Sequence, residues 1–209
     1  MTDSLEQVVA EVRACRQCPL GHSRKNAVPG EGPADAQIMF IGEGPGFHED
    51  AQGRPFVGAS GQYLVELLAE IKLKREQVYI ANVIKCKPPG NRDPEPAELA
   101  ACRNYLDRQV ALIRPSVVVT LGRFSMERYF PGQSISRIHG QPKRVGNVIY
   151  FPMFHPAAAL RNPAWRQEMS KDIRQIPALL AELRSAGTPS APEPPEDDDE
   201  GKFEQLSLF

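Results

Sequence analysis

Apolar and polar positions alternate along this chain in blocks. Four short apolar runs, Ile38-Met39-Phe40-Ile41, Val78 to Val83, Pro115 to Gly122 and Val148-Ile149-Tyr150-Phe151, read as buried strands. Between them lie stretches of helical period. Residues 3–14 place Leu5, Val8, Val9 and Val12 on one face, and Ser60 is positioned to cap a helix through Leu64, Leu67, Leu68 and Ile71. Further helices are predicted from about Pro96 to Ile113, over 123–129 and over roughly 163–185. Cys15 to Leu20, Gln52 to Gly58 and Lys87 to Pro94 read as loops, the last too rich in proline and glycine for regular structure. Strands alternating with helices predict an α/β fold, a three-layer α/β/α sandwich around a mainly parallel four-stranded sheet.

The first strand runs into Gly42-Glu43-Gly44-Pro45-Gly46-Phe47-His48-Glu49-Asp50. Three glycines free the backbone for positive φ and for close approach to a flat ligand. Folding alone does not call for three carboxylates, Glu43, Glu49 and Asp50, in such a turn. Ligands of open α/β sheets sit beyond the C-terminal ends of the strands, where this turn falls.

Composition divides the chain. Residues 187–209 hold seven acids and one base, leaving 24 basic and 19 acidic residues in 1–186, a net charge of +5. A mildly basic body suits a phosphate-backbone partner. The segment 187–204 reads as a disordered acidic linker. Met1 to Arg13 is charged and amphipathic, unlike a signal peptide, and no apolar run approaches a membrane span. A soluble, cytoplasmic, monomeric protein is expected.

The four cysteines are Cys15, Cys18, Cys86 and Cys102, a C-x2-C pair and a second pair fifteen residues apart. Four thiolates complete a tetrahedral zinc site or a [4Fe–4S] cluster, and spacing does not choose between them. Either can serve only to tie the N-terminal helix to the body.

Taken together these residues resemble the iron–sulphur uracil-DNA glycosylases, family 4 of the uracil-DNA glycosylase superfamily, over roughly residues 5–185. The resemblance rests on Gly42-Glu43-Gly44-Pro45-Gly46 with Glu49-Asp50, Gly53-Arg54-Pro55-Phe56-Val57-Gly58, Asn82 with Lys85-Cys86, the two cysteine pairs, and His155-Pro156-Ala157 followed by Leu160-Arg161-Asn162-Pro163. It implies hydrolysis of the bond between uracil and deoxyribose in DNA, which begins base excision repair, and a structural [4Fe–4S] cluster. Such an enzyme flips its base out of the stack. The resemblance implies that Phe56 stacks on the base, that Asn82 faces O4 and N3–H, and that His155 stabilises charge at O2. Gly42 and Gly44 then border the base, and Glu49 fills the side where thymine carries its methyl. Glu43 stabilises the sugar cation; better-known relatives place an aspartate one residue later, where this chain has Gly44, so water activation is left open. Leu160 and Arg161 match a wedge and its phosphate grip. A sister family traps the sugar on a histidine of an inserted loop; Pro88 to Pro94 holds no histidine, so turnover is expected.

Gln205-Leu206-Ser207-Leu208-Phe209 resembles the pentapeptide by which bacterial repair proteins bind the sliding clamp. Rival readings are a nucleotide-binding α/β protein, disfavoured by the missing P-loop lysine, and a non-catalytic metal-stapled DNA-binding module.

Overall fold

A computed structural model of the chain describes residues 3–186. The linker and pentapeptide expected over 187–209 lie outside the described residues. Helix α1 (Leu5–Ala14) starts at Ser4, whose hydroxyl accepts the Gln7 N–H, and buries Val8 and Val12. Short α2 (Leu20–Ser23) follows. The chain then alternates through β1 (Ile38–Gly42), α3 (Phe47–Gln52), α4 (Ala59–Glu70), β2 (Tyr79–Asn82), α5 (Pro96–Ile113), β3 (Val117–Leu121) and α6 (Arg123–Glu127). It continues as α7 (Ile135–Ile138), β4 (Lys143–Val145), β5 (Val148–Met153), α8 (Pro156–Arg161), α9 (Ala164–Ile173) and α10 (Ile176–Ala186).

The sheet has five strands rather than four, in the order β2-β1-β3-β5-β4. The pairs β1–β2, β1–β3 and β3–β5 are parallel, and β4 joins β5 antiparallel. The sequence pattern missed β4 because Lys143, Arg144 and Val145 are all exposed and carry no apolar signal. A Gly146-Asn147 turn, with Gly146 at φ 59°, folds this hydrophilic edge back onto β5.

Burial on both sheet faces explains the unbroken apolar runs. Successive side chains alternate between two cores. Ile38, Phe40, Val117, Val119 and Phe151 meet Leu64, Leu67 and Leu68 of α4, Met169 and Ile173 of α9 and Ile176 of α10. Met39, Ile41 and Val118 meet Leu106 and Ile113 of α5 on the other side. Other departures are local. The helix expected over 163–185 is two helices, because Pro177 offers no N–H to the Ile173 carbonyl and its ring crowds it. The N-cap of α4 is Gly58, with Ser60 already inside the helix. Residues 47–52, expected as part of the loop region, form α3, closed by Gly53 at φ 70°.

Strand order reverses at β1: its successor β2 lies on one side and β3 on the other. Crevices form at such switch points. Here one opens where β1, β2 and β5 end.

Candidate active site

A cleft of about 380 Å³ sits at these strand ends, lined by Glu43 to Glu49, Phe56, Asn82, Ile84, Pro88, His155 and Arg161 among others. That is the size range of small-ligand sites. Strand β1 delivers Gly42 and Glu43, β2 delivers Asn82, and the chain leaving β5 delivers His155. Residues far apart in sequence therefore share one wall.

Phe56 is buried with φ 49°, a left-handed conformation that a bulky residue adopts only under constraint. Such strain costs about 1–3 kcal/mol and persists where the surroundings impose it. Arg75 imposes it, donating from Nη1 to the Phe56 carbonyl at 2.8 Å and from Nη2 to the Pro55 carbonyl. Glu31 holds that arginine at 3.2 Å and Arg54 at 2.7 Å. Gly61 admits the Phe56 backbone: a Cβ there would stand 1.9 Å from its carbonyl oxygen. The Phe56 ring faces the His155 ring, with centroids 5.6 Å apart.

Among Gly42, Gly44 and Gly46, none takes positive φ, contrary to the expected reason for them. Space is what Gly42 provides. A Cβ there would lie 2.5 Å from Asn82 Oδ1 and 2.6 Å from Phe56 Cζ, between the amide and the ring.

Asn82 is 2% exposed, and its Oδ1 has no hydrogen-bond partner. An unpaired buried acceptor costs about 1–3 kcal/mol, so one left at the wall of a cleft implies a donor on the ligand. Behind it, Lys85 Nζ donates to the Asn82 carbonyl at 2.9 Å and to Gln109 Oε1 at 2.7 Å. Gln109 Nε2 in turn donates to the Pro29 carbonyl at 2.7 Å. This buried network fixes the end of β2 against α5.

His155 caps α8. Its Nδ1 accepts the Ala157 N–H at 3.2 Å, which leaves the proton on Nε2. Burial pushes its pKa down to about 4, opposed by the Glu49 carboxylate. The ring is neutral at neutral pH and donates. Glu43 moves the other way: burial, reinforced by Asp93 and opposed by Arg123, raises its pKa above the usual carboxylate value.

Glu49 lines the cleft, but its carboxylate is committed to the backbone. Oε1 accepts the Val57 and Gly58 N–H groups, each at 2.9 Å, and Oε2 accepts the Gly46 N–H at 3.1 Å. It clamps α3 to the Phe56 loop. Asp50 points away, accepting the Lys25 N–H at 3.0 Å. Arg161 lines the cleft and forms no ion pair among the described residues, and Leu160, before it in the chain, is 43% exposed.

Residues 29–178 match the family model described as the Uracil DNA glycosylase superfamily. The type-4 uracil-DNA glycosylase of Sulfurisphaera tokodaii is 48% identical over 187 residues, covering 85% of each chain. The chain belongs to the type-4 uracil-DNA glycosylases. The Thermotoga maritima member of this family is 46% identical over 188 residues, 88% of this chain and 94% of its own. A type-5 uracil-DNA glycosylase from Thermus thermophilus is 33% identical over 154 residues, 58% of this chain and 70% of its own. Membership in the type-4 family accords with the fold and with the grouping of Glu43, Phe56, Asn82 and His155 around one cleft.

Of the four cysteines, Cys15 follows α1, Cys18 precedes α2, Cys86 lies beyond the end of β2 and Cys102 sits within α5. Cys18, Cys86 and Cys102 pack with Leu20, Ile84 and Leu99, and Cys15 lies at the end of α1. Arg24 Nη1 donates to Cys86 Sγ at 3.0 Å and Nη2 to the Cys15 carbonyl at 3.0 Å. Among the described residues no group of three or more His, Cys, Asp or Glu side chains is arranged to hold a single metal ion. Thiolate sulphur is the soft ligand type that suits iron–sulphur clusters and zinc.

Sequence reasoning assigned no role to Arg75 or Lys85. Each acts through contacts with residues 3 to 44 positions away, and neither its type nor its neighbours announces them.

Proposed function

We propose that this protein removes uracil from DNA by hydrolysing its N-glycosidic bond, leaving an abasic site. The observation that carries the reading is Asn82 Oδ1, buried and unpaired, with Gly42 leaving open the space that a Cβ would fill against both that oxygen and the Phe56 ring. Uracil supplies the missing donor at N3–H and an acceptor at O4 for the amide Nδ2. Cytosine presents the reverse pattern and leaves buried groups unpaired, the strongest form of rejection. Phe56 stacks on the base, and neutral His155 donates from Nε2 to O2 as negative charge grows there. Water adds to C1′ as the C1′–N1 electron pair leaves with uracil, the water's proton balancing the uracil anion through solvent, while ionised Glu43 faces the developing sugar cation. Glu49 shapes the pocket by holding Gly46 and the Phe56 loop in place, which puts a wall where the C5 methyl of thymine would project. Leu160 fills the gap in the stack and Arg161 holds a phosphate. One cleft suffices, so a single chain acts alone.

Excision from uracil-containing oligonucleotides tests this. Asn82→Asp is expected to slow uracil release by about 10²-fold or more, since an acceptor faces O4, and to narrow the gap between uracil and cytosine. Unchanged uracil kinetics would remove Asn82 from the recognition surface.

Cys15, Cys18, Cys86 and Cys102 hold a [4Fe–4S] cluster in this reading, with zinc as the rival occupant. Four sulphurs and the Arg24 guanidinium facing Cys86 support a bound group of net negative charge. Its contribution is structural, tying α1 to α5. Iron and zinc assays of anaerobically purified protein decide between them. The terminal Gln205, Leu206, Leu208 and Phe209, supported by sequence alone, dock to the sliding clamp on an acidic leash. Calorimetry with a peptide of residues 199–209 tests that; no heat at high micromolar peptide would dismiss it.

A further inference from the structure

We infer that Phe47 is a DNA-contact residue of this chain, its ring laid against the nucleobase next to the flipped uracil. The inference rests on the glycosylase reading and extends it to a residue that reading leaves idle. Phe47 lines the cleft and is 69% exposed, more than Val145, Val65, Leu160 or Trp165, the other large apolar side chains that stand out from the surface among the described residues. A scattered exposed apolar residue needs no explanation. This one has a position that supplies it: uracil in the cleft remains bonded to its strand, so whatever rims the mouth faces the adjoining nucleotides.

The ring also has a rigid mount. It opens α3, whose first turn is held by the Glu49 carboxylate on the Gly46, Val57 and Gly58 N–H groups. The far end of α3 is fixed by Asn26 Nδ2, which donates to the Asp50 carbonyl at 2.8 Å. His48 meets the Phe47 ring edge-on, centroids 5.5 Å apart. A ring presented this way loses little freedom on binding, which favours stacking on a flat partner. Arg161 lines the same cleft with no carboxylate partner among the described residues and supplies the charge that a phosphate requires. Aromatic surface and a guanidinium on one cleft are the combination that single nucleic-acid strands use.

The test compares the parent with Phe47→Ala and Phe47→Trp on oligonucleotides carrying a non-hydrolysable 2′-fluoro-deoxyuridine. 2-Aminopurine is placed on its 5′ side in one set and its 3′ side in another. The parent is expected to change aminopurine emission in one set. Phe47→Ala should lose that change and about five-fold or more in affinity, the ratio that 1 kcal/mol of base–aromatic stacking represents. Phe47→Trp should restore both. On hydrolysable substrates with tetrahydrofuran residues flanking the uracil there is no base to stack on, and parent and Phe47→Ala should excise equally fast. Equal affinity and emission for parent and Phe47→Ala would overturn the inference, as would an equal loss on flanked and unflanked substrates. A parent inactive on every uracil substrate would instead defeat the glycosylase reading.

Discussion

Replacing His155 by alanine is expected to slow single-turnover uracil release by about 10²- to 10³-fold, the loss typical of removing one preorganised donor to a developing oxyanion. The expectation follows from the proton's location. With Nδ1 engaged by the Ala157 N–H, Nε2 must donate, and with the pKa pushed down to about 4 the ring donates as neutral imidazole. A neutral donor stabilises the leaving uracil without first having to be charged in a poorly hydrated site. His155→Gln should recover part of the rate, because an amide can also donate. Binding of abasic-site DNA should survive in both variants. Alanine kinetics equal to the parent's would strip His155 of this role.

Two pH consequences separate cleanly. The native His155 pKa is depressed below the ordinary value of about 6.5. The unfolded chain therefore binds the extra proton first, and stability falls as pH drops from about 6.5 toward about 4. His155→Gln should flatten that slope in urea titrations. Glu43 is raised, so its carboxylate is lost at higher pH than an ordinary glutamate's. The acid limb of the excision rate should therefore lie above the usual glutamate range, and Glu43→Gln should erase it along with most of the rate. An unchanged acid limb in that variant would assign the titration to another group.

Gly42→Ala should slow excision by about 10²-fold or more while leaving the chain folded. The new methyl would stand 2.5 Å from Asn82 Oδ1 and 2.6 Å from Phe56 Cζ, well inside contact distance. Both atoms end side chains, so the clash is relieved by turning the amide and the ring. Strand β1 stays paired to β2 and β3 through its backbone, and Gly42 needs no left-handed φ. What is lost is the alignment of the two groups proposed to grip the base, and misplacement by about 1 Å costs about 10²-fold. Thermal unfolding near the parent's, with excision down at least that much, is the expected pair of results. Parent-like excision by Gly42→Ala would mean that the base does not lie between Asn82 and Phe56.

Much of this molecule was legible in the chain itself. Strands buried on both faces need no alternation, so Ile38 to Ile41 and Val117 to Leu121 announced themselves as continuous apolar runs. The helix expected from about Pro96 to Ile113 forms there, with proline acceptable in its first turn. Placement of Asn82 and His155 at strand ends followed from the same pattern. These features are local: each is set by residues within a few positions of one another.

Tertiary structure decided what depended on distant partners. Strand β4 exists because β5 offers an edge, and its own three exposed residues carry no burial signal. Glu49, placed by sequence at the wall of the pocket, proved to spend its carboxylate on three backbone N–H groups, two of them in the Phe56 loop. The strained Phe56 backbone depends on Arg75, and the carbonyl of Asn82 on Lys85 and Gln109. Hydrogen bonds across such separations leave no periodicity, because a polar side chain that reaches a buried carbonyl looks, in sequence, like one that reaches water. The geometry of the cleft is therefore a property of how the strands end beside one another, and the space that Gly42 leaves for Asn82 and Phe56 is visible only once they do.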